Sequence, residues 1–229
     1  MAEDTPQSFN HFSLISFTDR YWMQAPDERR QVRRRWLDAL KQSSDVVHVY
    51  QAFGPEAQND LLLWCAVSGD DVGIAQRFFA GYAEAMAPAR PYCSVEETLW
   101  GFTRPSQYTK TRSAQEIDPF SPDRLPYLIM YPFVKTVDWY LKDRDERQRM
   151  MAQHVKVGKQ YKDITQLLLY STGLQDQEFV VVYETHDLVR FQSLVTQLRG
   201  TEARVHTQRD YPLHAAIFQA DADTLDRWL

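Results

Sequence analysis

The segment ITQLLLYSTGLQDQEFVVVYETHDLVRFQSLVTQL, residues 164–198, decides the fold, because it holds two β-rich runs followed by one amphipathic pattern. Gly173 lies in the turn between the runs QLLLY and FVVVY, whose Leu, Val and Tyr content is typical of strands. Asp187 directly precedes apolar residues at helical spacing, and its short carboxylate can accept hydrogen bonds from free N–H groups in a first helical turn. The segment therefore predicts strand, turn, strand and helix, in that order.

An earlier part of the chain has the same order. Residues 46–54 read VVHVYQAFG, and residues 61–82 read LLLWCAVSGDDVGIAQRFFAGY. Upstream, residues 14–40 and 129–157 align on a shared Asp-Glu-Arg tripeptide, and each stretch has a β-rich run followed by a helical pattern. Each half of the chain is therefore predicted to be strand, helix, strand, strand, helix, strand, which is the ferredoxin-like βαββαβ unit.

The two repeats predict an α+β protein in which two ferredoxin-like units form a dimeric α+β barrel within one chain. We expect two four-stranded sheets packed face to face, with the helices outside. The runs LLLWCAV and FVVVYE are apolar at consecutive positions, so both of their faces are expected to be covered. The predicted boundaries are a flexible N-terminal tail at residues 1–8, a first repeat at 9–103, a connecting loop at 104–126 and a second repeat at 127–229.

The connecting loop allows two interpretations. It is polar and contains prolines, which is typical of a linker. It also carries four basic residues, which would suit a long loop that covers a site and offers cations to an anion. These residues are Arg104, Lys110, Arg112 and Arg124.

The composition excludes several classes of protein. The chain has 229 residues, a net charge of −5 and a pI of about 5.7, so it lacks the basic character of a nucleic-acid-binding protein. Its two cysteines, Cys65 and Cys93, are too few for a disulfide framework or a zinc site. No apolar run approaches the roughly 18 residues of a membrane span. The acidic, polar N-terminus is unlike a signal peptide, so we expect a cytoplasmic protein.

His154 is the candidate ligand. Met150, His154, Val157 and Tyr161 recur at helical spacing, so the imidazole falls on an apolar stripe, where a histidine is most often a satisfied core residue. The other repeat has Trp36 at this position, and Gly158 follows one turn later, where the missing side chain would let a flat ligand approach. No other Cys, His or carboxylate lies at metal-ligand spacing. A solitary histidine suits a haem iron, because the macrocycle supplies four other ligands.

Several motifs in a fixed order give the chain a family resemblance. They are YPFVK (131–135), DWYL (138–141), ERQRMMAQH (146–154), QLLLYSTGLQDQEF (166–179) and TEAR (201–204). With these motifs the chain resembles the chlorite dismutase superfamily, which includes the coproheme decarboxylases, the peroxide-dependent haem synthases. The resemblance implies haem b or iron coproporphyrin III bound in the second repeat through His154. It also implies a carboxylate, Glu202 of TEAR, that hydrogen-bonds the imidazole from behind, and a homo-oligomer, either a pentamer or a dimer.

The strand after the histidine distinguishes the branches of the family. Chlorite dismutases place an arginine there to hold a chlorine oxyanion. Depending on one alignment gap, the matching residue here is Thr165, Gln166 or Leu167. None of the three is charged, which disfavours chlorite chemistry on electrostatic grounds. Gln166 best fits the glutamine of Gram-positive decarboxylases, and its amide could hydrogen-bond peroxide.

Two further sets of residues follow from the resemblance. Tyr140 of DWYL matches a tyrosine that is oxidised to a radical and abstracts hydrogen from a propionate, although its repeat partner Trp22 allows a purely packing role. Lys135 matches a lysine that binds a propionate, and Arg124 matches a second, less secure anchor. Ser106 and Tyr108 of the connecting loop are weaker candidates for the same task.

The expected function is that of a coproheme decarboxylase, which makes haem b from iron coproporphyrin III with hydrogen peroxide. One alternative is a chlorite dismutase or a haem-dependent peroxidase of the same superfamily. Another, from a different class, is a haem carrier or sensor with no turnover.

Overall fold

The computed structural model describes residues 8–69, 71–105, 115–219 and 225–229. The elements of the first repeat are β1 (Ser8–Phe17), α1 (Asp19–Trp22), α2 (Pro26–Leu40), β2 (Val46–Gln51), β3 (Leu61–Ser68), α3 (Ile74–Met86) and β4 (Cys93–Phe102). Those of the second are β5 (Tyr127–Lys135), α4 (Val137–Leu141), α5 (Arg144–Gly158), β6 (Thr165–Tyr170), β7 (Phe179–Thr185), α6 (Leu188–Arg199), a 3₁₀ helix (Glu202–His206), β8 (Thr207–Arg209) and β9 (His214–Phe218). The predicted order of strands and long helices is confirmed in both repeats, and the short helices α1 and α4, the 3₁₀ helix and β8 are additions.

The strands form one closed barrel. The first repeat has the strand order β4-β1-β3-β2 and the second has the equivalent order β6-β7-β5-β9, with all pairs antiparallel. The repeats join where Phe102 of β4 pairs with Tyr170 of β6, and where Tyr50 of β2 pairs with Phe218 of β9. The predicted barrel of two ferredoxin-like repeats is therefore confirmed. Its two four-stranded sheets are joined along their edges, because the open edge of each repeat pairs with the edge of the other.

The side chains alternate between the barrel interior and the helix layer. One core fills the barrel with residues from both repeats, among them Phe12, Trp64, Leu128, Leu167 and Val182. The outward faces pack on the helices, through α2 and α3 in the first repeat and α5 and α6 in the second. The consecutive apolar runs in β3 and β7 are buried on both faces, as predicted.

The ends of the repeats differ from the boundaries expected from the sequence. Ser8 was assigned to the flexible tail, but it is buried in β1 and its Oγ lies 2.9 Å from Oγ1 of Thr103. The rest of that tail, residues 1–7, lies outside the described residues. So do the loop candidates Ser106 and Tyr108 and the basic residues Lys110 and Arg112.

The described end of the connecting loop is part of the barrel wall. The backbone N–H of Ile117 donates to the carbonyl of Gln166 at 3.0 Å, and the N–H of Gln166 donates to the carbonyl of Gln115 at 2.8 Å. The side chain of Ile117 is buried in the barrel core. This segment lies beside β6 because β4 pairs with β6 only at Tyr170 and leaves the rest of that edge open.

Local sequence fixes the ends of the helices that carry the second repeat. Oδ1 of Asp187 accepts hydrogen bonds from the N–H groups of Val189 and Arg190 at the start of α6, as predicted. Asp143 caps α5 in the same way, through the N–H of Glu146. Within the described ranges, no helix is long and apolar enough to cross a membrane.

Candidate functional site

His154 lies on α5, which covers the outer face of the second repeat. Burial, assisted by the positive charge of Lys135, lowers the pKa of His154 to about 4. The imidazole is therefore neutral at physiological pH. Its Nδ1 is buried and has no hydrogen-bond partner in the described part of the chain. The expectation of an ordinary core histidine, with both nitrogens satisfied, does not fit this arrangement, whereas a neutral imidazole with an unused nitrogen fits a metal ligand.

Gly158 leaves space on the same helix, one turn after His154. A Cβ built at this position would meet none of the described atoms within 4 Å. Residues four apart in a helix lie on the same side. The absent side chain therefore leaves open space one helical turn from the imidazole.

Lys135 places a positive charge near this histidine. Its Nζ lies 3.4 Å from both the carbonyl oxygen of Ala203 and Oγ1 of Thr207, and 4.6 Å from the centre of the Trp139 ring. Burial, followed by the charge of Arg204, lowers the pKa of Lys135 to about 8. Among the described residues it forms no ion pair with a carboxylate. A half-buried ammonium in this setting is suited to an anionic ligand.

The three candidates on β6, which are Thr165, Gln166 and Leu167, do not all lie on the sheet face that packs under α5 and α6. Gln166 pairs with Tyr183, and Leu168 pairs with Val181. Tyr183 and Val181 belong to the outward core under α5 and α6, so Gln166 and Leu168 lie on that same face. Gln166 is exposed, and Leu168 is 37% exposed. This side of the sheet is therefore open beneath the helix layer.

Thr165 and Leu167 lie on the other side of β6. Leu167 is buried in the barrel core, and Thr165 shares its side of the strand because alternate residues face the same way. Of the three alternatives, only Gln166 presents its side chain to the helix-covered face.

Tyr140 is 45% exposed on the short helix α4. The neighbouring Trp139 is the residue that is buried there, against Met150 of α5 and Ala203. The aromatic pair therefore divides, with one ring in the core and the other at the surface.

Tyr131 is a candidate that sequence reasoning missed. It lies on the outward face of β5 and packs on the same cluster as Val157 of α5. Phe133 follows on that face, and Nζ of Lys135 is 5.8 Å from its ring centre. Burial raises the pKa of Tyr131, although a hydrogen bond with Tyr183 opposes the shift. Counting back from Lys135 in steps of two along the predicted strand would have identified it.

Arg124 is a correction. It was expected to bind a propionate, but its Nε lies 3.6 Å from Oε1 of Glu184, and both side chains are only 3% exposed. Its Nη2 donates to the carbonyl of Asp118 at 2.7 Å, and its guanidinium lies 5.3 Å from the ring centre of Trp64. Trp64 belongs to the barrel core, on the opposite side of the sheet from α5. Arg124 therefore neutralises a buried carboxylate and does not face His154.

Glu202 also differs from expectation. Its carboxylate pairs with Nη1 of Arg149 at 2.8 Å and is 49% exposed, and its backbone N–H donates to Oε1 of Gln153 at 3.0 Å. Both partners lie on α5, so Glu202 is held close to the helix that carries His154. Within the described ranges, however, the expected hydrogen bond to the imidazole is not formed, because Arg149 attracts the carboxylate instead.

Comparison with known proteins adds independent evidence. A model of the family described as chlorite dismutase matches residues 22–218. Coproheme decarboxylase from Mycolicibacterium smegmatis (strain ATCC 700084 / mc(2)155) is 28% identical over 217 residues, which cover 88% of this chain and 90% of that protein. Chlorite dismutase from Ideonella dechloratans is 25% identical over 217 residues, which cover 90% of this chain and 75% of that protein.

Solved structures agree on the fold. A mutant chlorite dismutase from Candidatus Nitrospira defluvii superposes with a TM-score of 0.81 at 19% identity, over 97% of this chain and 95% of that chain. The enzyme from the same organism in complex with imidazole also gives 0.81, at 20% identity, over 97% and 94% of the two chains. With the family model matching most of its length, the chain belongs to the chlorite dismutase family.

Proposed function

We propose that this protein is a haem-dependent oxidoreductase, and specifically a coproheme decarboxylase that converts iron coproporphyrin III to haem b with hydrogen peroxide. The observation that carries the proposal is the neutral, half-buried imidazole of His154, whose buried Nδ1 has no partner among the described residues, one helical turn from the open space at Gly158. The relative named coproheme decarboxylase, which aligns over 90% of its own length, supports the choice of reaction.

The residues of the site fit an iron porphyrin that carries propionates. His154 would hold the iron, and Gly158 would allow the macrocycle to approach the helix. The ammonium of Lys135, which forms no carboxylate ion pair in the described chain, would bind one propionate. Gln166, on the sheet face that the helices cover, would donate a hydrogen bond to peroxide without trapping an oxyanion. The bound iron supplies the peroxide-dependent oxidising power.

A tyrosine of this chain would carry oxidation to the propionate. A phenol that loses one electron and one proton can abstract hydrogen from the propionate, which then loses CO2 and a second electron to become a vinyl group. One peroxide accepts the two electrons for each propionate and leaves as water. The resemblance favours Tyr140, whereas the contacts favour Tyr131, because it shares a strand face with Lys135.

A mass assay tests the reaction. The purified protein is loaded with iron coproporphyrin III, hydrogen peroxide is added, and the product mass is followed. Two successive losses of CO2 are expected, and His154→Ala should abolish them. If peroxide bleaches the porphyrin and no CO2 is lost, the result would instead support a peroxidase, or a haem carrier or sensor. Oxygen release from added chlorite would instead support a chlorite dismutase, despite the uncharged Gln166.

The assembly and location remain part of the proposal. The pentamer or dimer expected from the resemblance is tested by analytical ultracentrifugation of the full chain. A cytoplasmic location is tested by fractionation of the source cells.

A further inference from the structure

Gln115 lies where three parts of the second repeat meet. Its Nε2 is 2.8 Å from the carbonyl oxygen of Tyr161, 3.0 Å from that of Ile164 and 3.4 Å from that of Gly158. Its backbone carbonyl accepts the N–H of Gln166 at 2.8 Å. One residue of the connecting loop therefore contacts the end of α5, the turn after it and the first residues of β6.

These contacts occupy the NH2 group of the side-chain amide. A glutamine NH2 group has two hydrogens, so the contacts with Tyr161 and Ile164 are the hydrogen bonds, and the longer distance to Gly158 is a weaker shared contact. These carbonyls lie at and just after the end of α5, and those of Gly158 and Tyr161 also accept the backbone N–H groups of Tyr161 and Ile164 at 3.0 Å. The amide of Gln115 therefore ties together the segment that joins α5 to β6.

The same segment sets the geometry of the site. Gly158 is the last residue of α5 and lies four residues after His154, while Gln166 is the second residue of β6. We infer that Gln115 is a positioning residue that fixes the separation between α5 and β6, and with it the distance between the helix that carries His154 and the strand that carries Gln166. The inference rests on the proposed function, because it assigns the space between these two elements to a porphyrin.

The first test needs no ligand. Gln115→Met keeps the length of the side chain and removes both N–H donors. Hydrogen exchange of the full apo chain should then become faster at the amides of Tyr161, Ile164 and Gln166, and stay unchanged in α6. Exchange equal to that of the parent protein at these three amides would overturn the positioning role.

The second test uses haemin as the probe. We expect Gln115→Met to weaken haemin binding by about tenfold, the effect of losing roughly one to two net hydrogen bonds. Gln115→Glu should weaken it further at pH 8, because a carboxylate would face carbonyl oxygens. At pH 5 protonation returns one donor, so the ratio to the parent protein should partly recover. Gln51→Met, which removes a side-chain amide that donates to the carbonyl of Phe53 and accepts from Gln219, away from α5 and β6, is the matched control.

The outcomes separate the inference from the proposed function. If the parent protein binds haemin and both Gln115 variants bind it equally well, the positioning role is wrong. An equal loss in Gln51→Met would also contradict it, because the effect would then be general destabilisation. If the parent protein does not bind haemin, the proposed function fails, and hydrogen exchange still decides whether Gln115 holds α5 against β6.

Discussion

The two repeats share one topology but fill the space under their helices differently. Trp36 and His154 each lie ten residues after the first residue of their helices, α2 and α5, which are both 15 residues long. Trp36 is 3% exposed, and its Nε1 donates to Sδ of Met86 at 2.9 Å. In the second repeat, Nδ1 of His154 has no hydrogen-bond partner among the described residues. Leu168, on the sheet face under α5 and α6, is partly exposed.

The first repeat also contains a histidine under its helices. Burial lowers the pKa of His11 to about 3, and its Nδ1 lies 3.3 Å from Oγ of Ser13. The rings of Phe78 and Tyr82 pack against it, with centroids 5.1 Å and 4.8 Å away. Both repeats thus hold a neutral imidazole under their helices, but His11 is buried, whereas His154 is half-buried with open space at Gly158 one turn away. The comparison teaches that packing, and not topology, decides which repeat can hold a ligand.

The largest expected effect is the loss of binding in His154→Gly. Haemin affinity should fall by about 100-fold or more, since even the loss of a supporting contact to a metal ligand costs 10–100-fold. The Soret band of the histidine-bound form should disappear, and added imidazole should restore it by entering the vacated position. If the variant keeps the Soret band and the haemin affinity of the parent protein, His154 does not hold the iron and the proposed contrast between the repeats is wrong.

Two single variants decide which tyrosine supports turnover. Tyr131→Phe should stop the loss of CO2 and leave haemin binding intact, because only the phenol that donates the electron and proton is removed. Tyr140→Phe, at the exposed end of α4, should reduce the rate less. Product masses measured side by side test this, and the reverse ranking would restore the assignment taken from the resemblance.

Trp36→Ala tests the filled side of the comparison. The substitution leaves a cavity in a packed core, and the free energy of unfolding should fall by about 3–5 kcal/mol. Haemin affinity of the folded protein should not change, because Trp36 belongs to the first repeat, whereas His154 lies in the second. Urea denaturation and haemin titration measure the two quantities. If the variant is fully folded and still binds haemin more weakly, the first repeat contributes to haemin binding and the proposed contrast between the repeats is wrong.

Lys135→Met should have the smallest effect, which depends on pH. A charged ammonium binds a propionate and a neutral amine does not, so coproporphyrin affinity of the parent protein should fall as pH rises through about 8, the pKa of Lys135. The variant should bind about tenfold more weakly at pH 7 and lack this dependence.

The charge of Lys135 also affects the free energy of unfolding of the apo protein. Its pKa is lowered on folding, so between about 8 and the unfolded value of 10.5 the unfolded chain binds more protons, and apo stability should rise with pH there.

The sequence predicted the architecture well because each element repeats a local signal. Strand alternation, helical spacing and the cap at Asp187 depend on neighbouring residues, and the structure agrees with them. The barrel itself was predicted, but the edge pairs that close it, Phe102–Tyr170 and Tyr50–Phe218, were not, because they join residues far apart in the chain.

The site could be read only in part. His154 and Gly158 stand out through their spacing and through the contrast with Trp36. Arg124 was misplaced because the side of the sheet that a loop residue reaches depends on its buried partner, here Glu184. Glu202 differs because Arg149, a turn earlier on α5 than His154, is a stronger partner than a neutral imidazole. Tyr131 was missed because it lies within an apolar run that hides the alternation of β5.

The shared interior of the barrel has a consequence for any attempt to shorten the protein. Leu128, Leu167 and Val182 of the second repeat pack against Phe12 and Trp64 of the first. If the chain were cut between the repeats, each half would expose these apolar core side chains to water. We expect such a fragment to aggregate and not to bind a ligand. The first repeat therefore covers apolar surface of the second repeat. The smallest unit expected to fold and bind a ligand is the pair of repeats together.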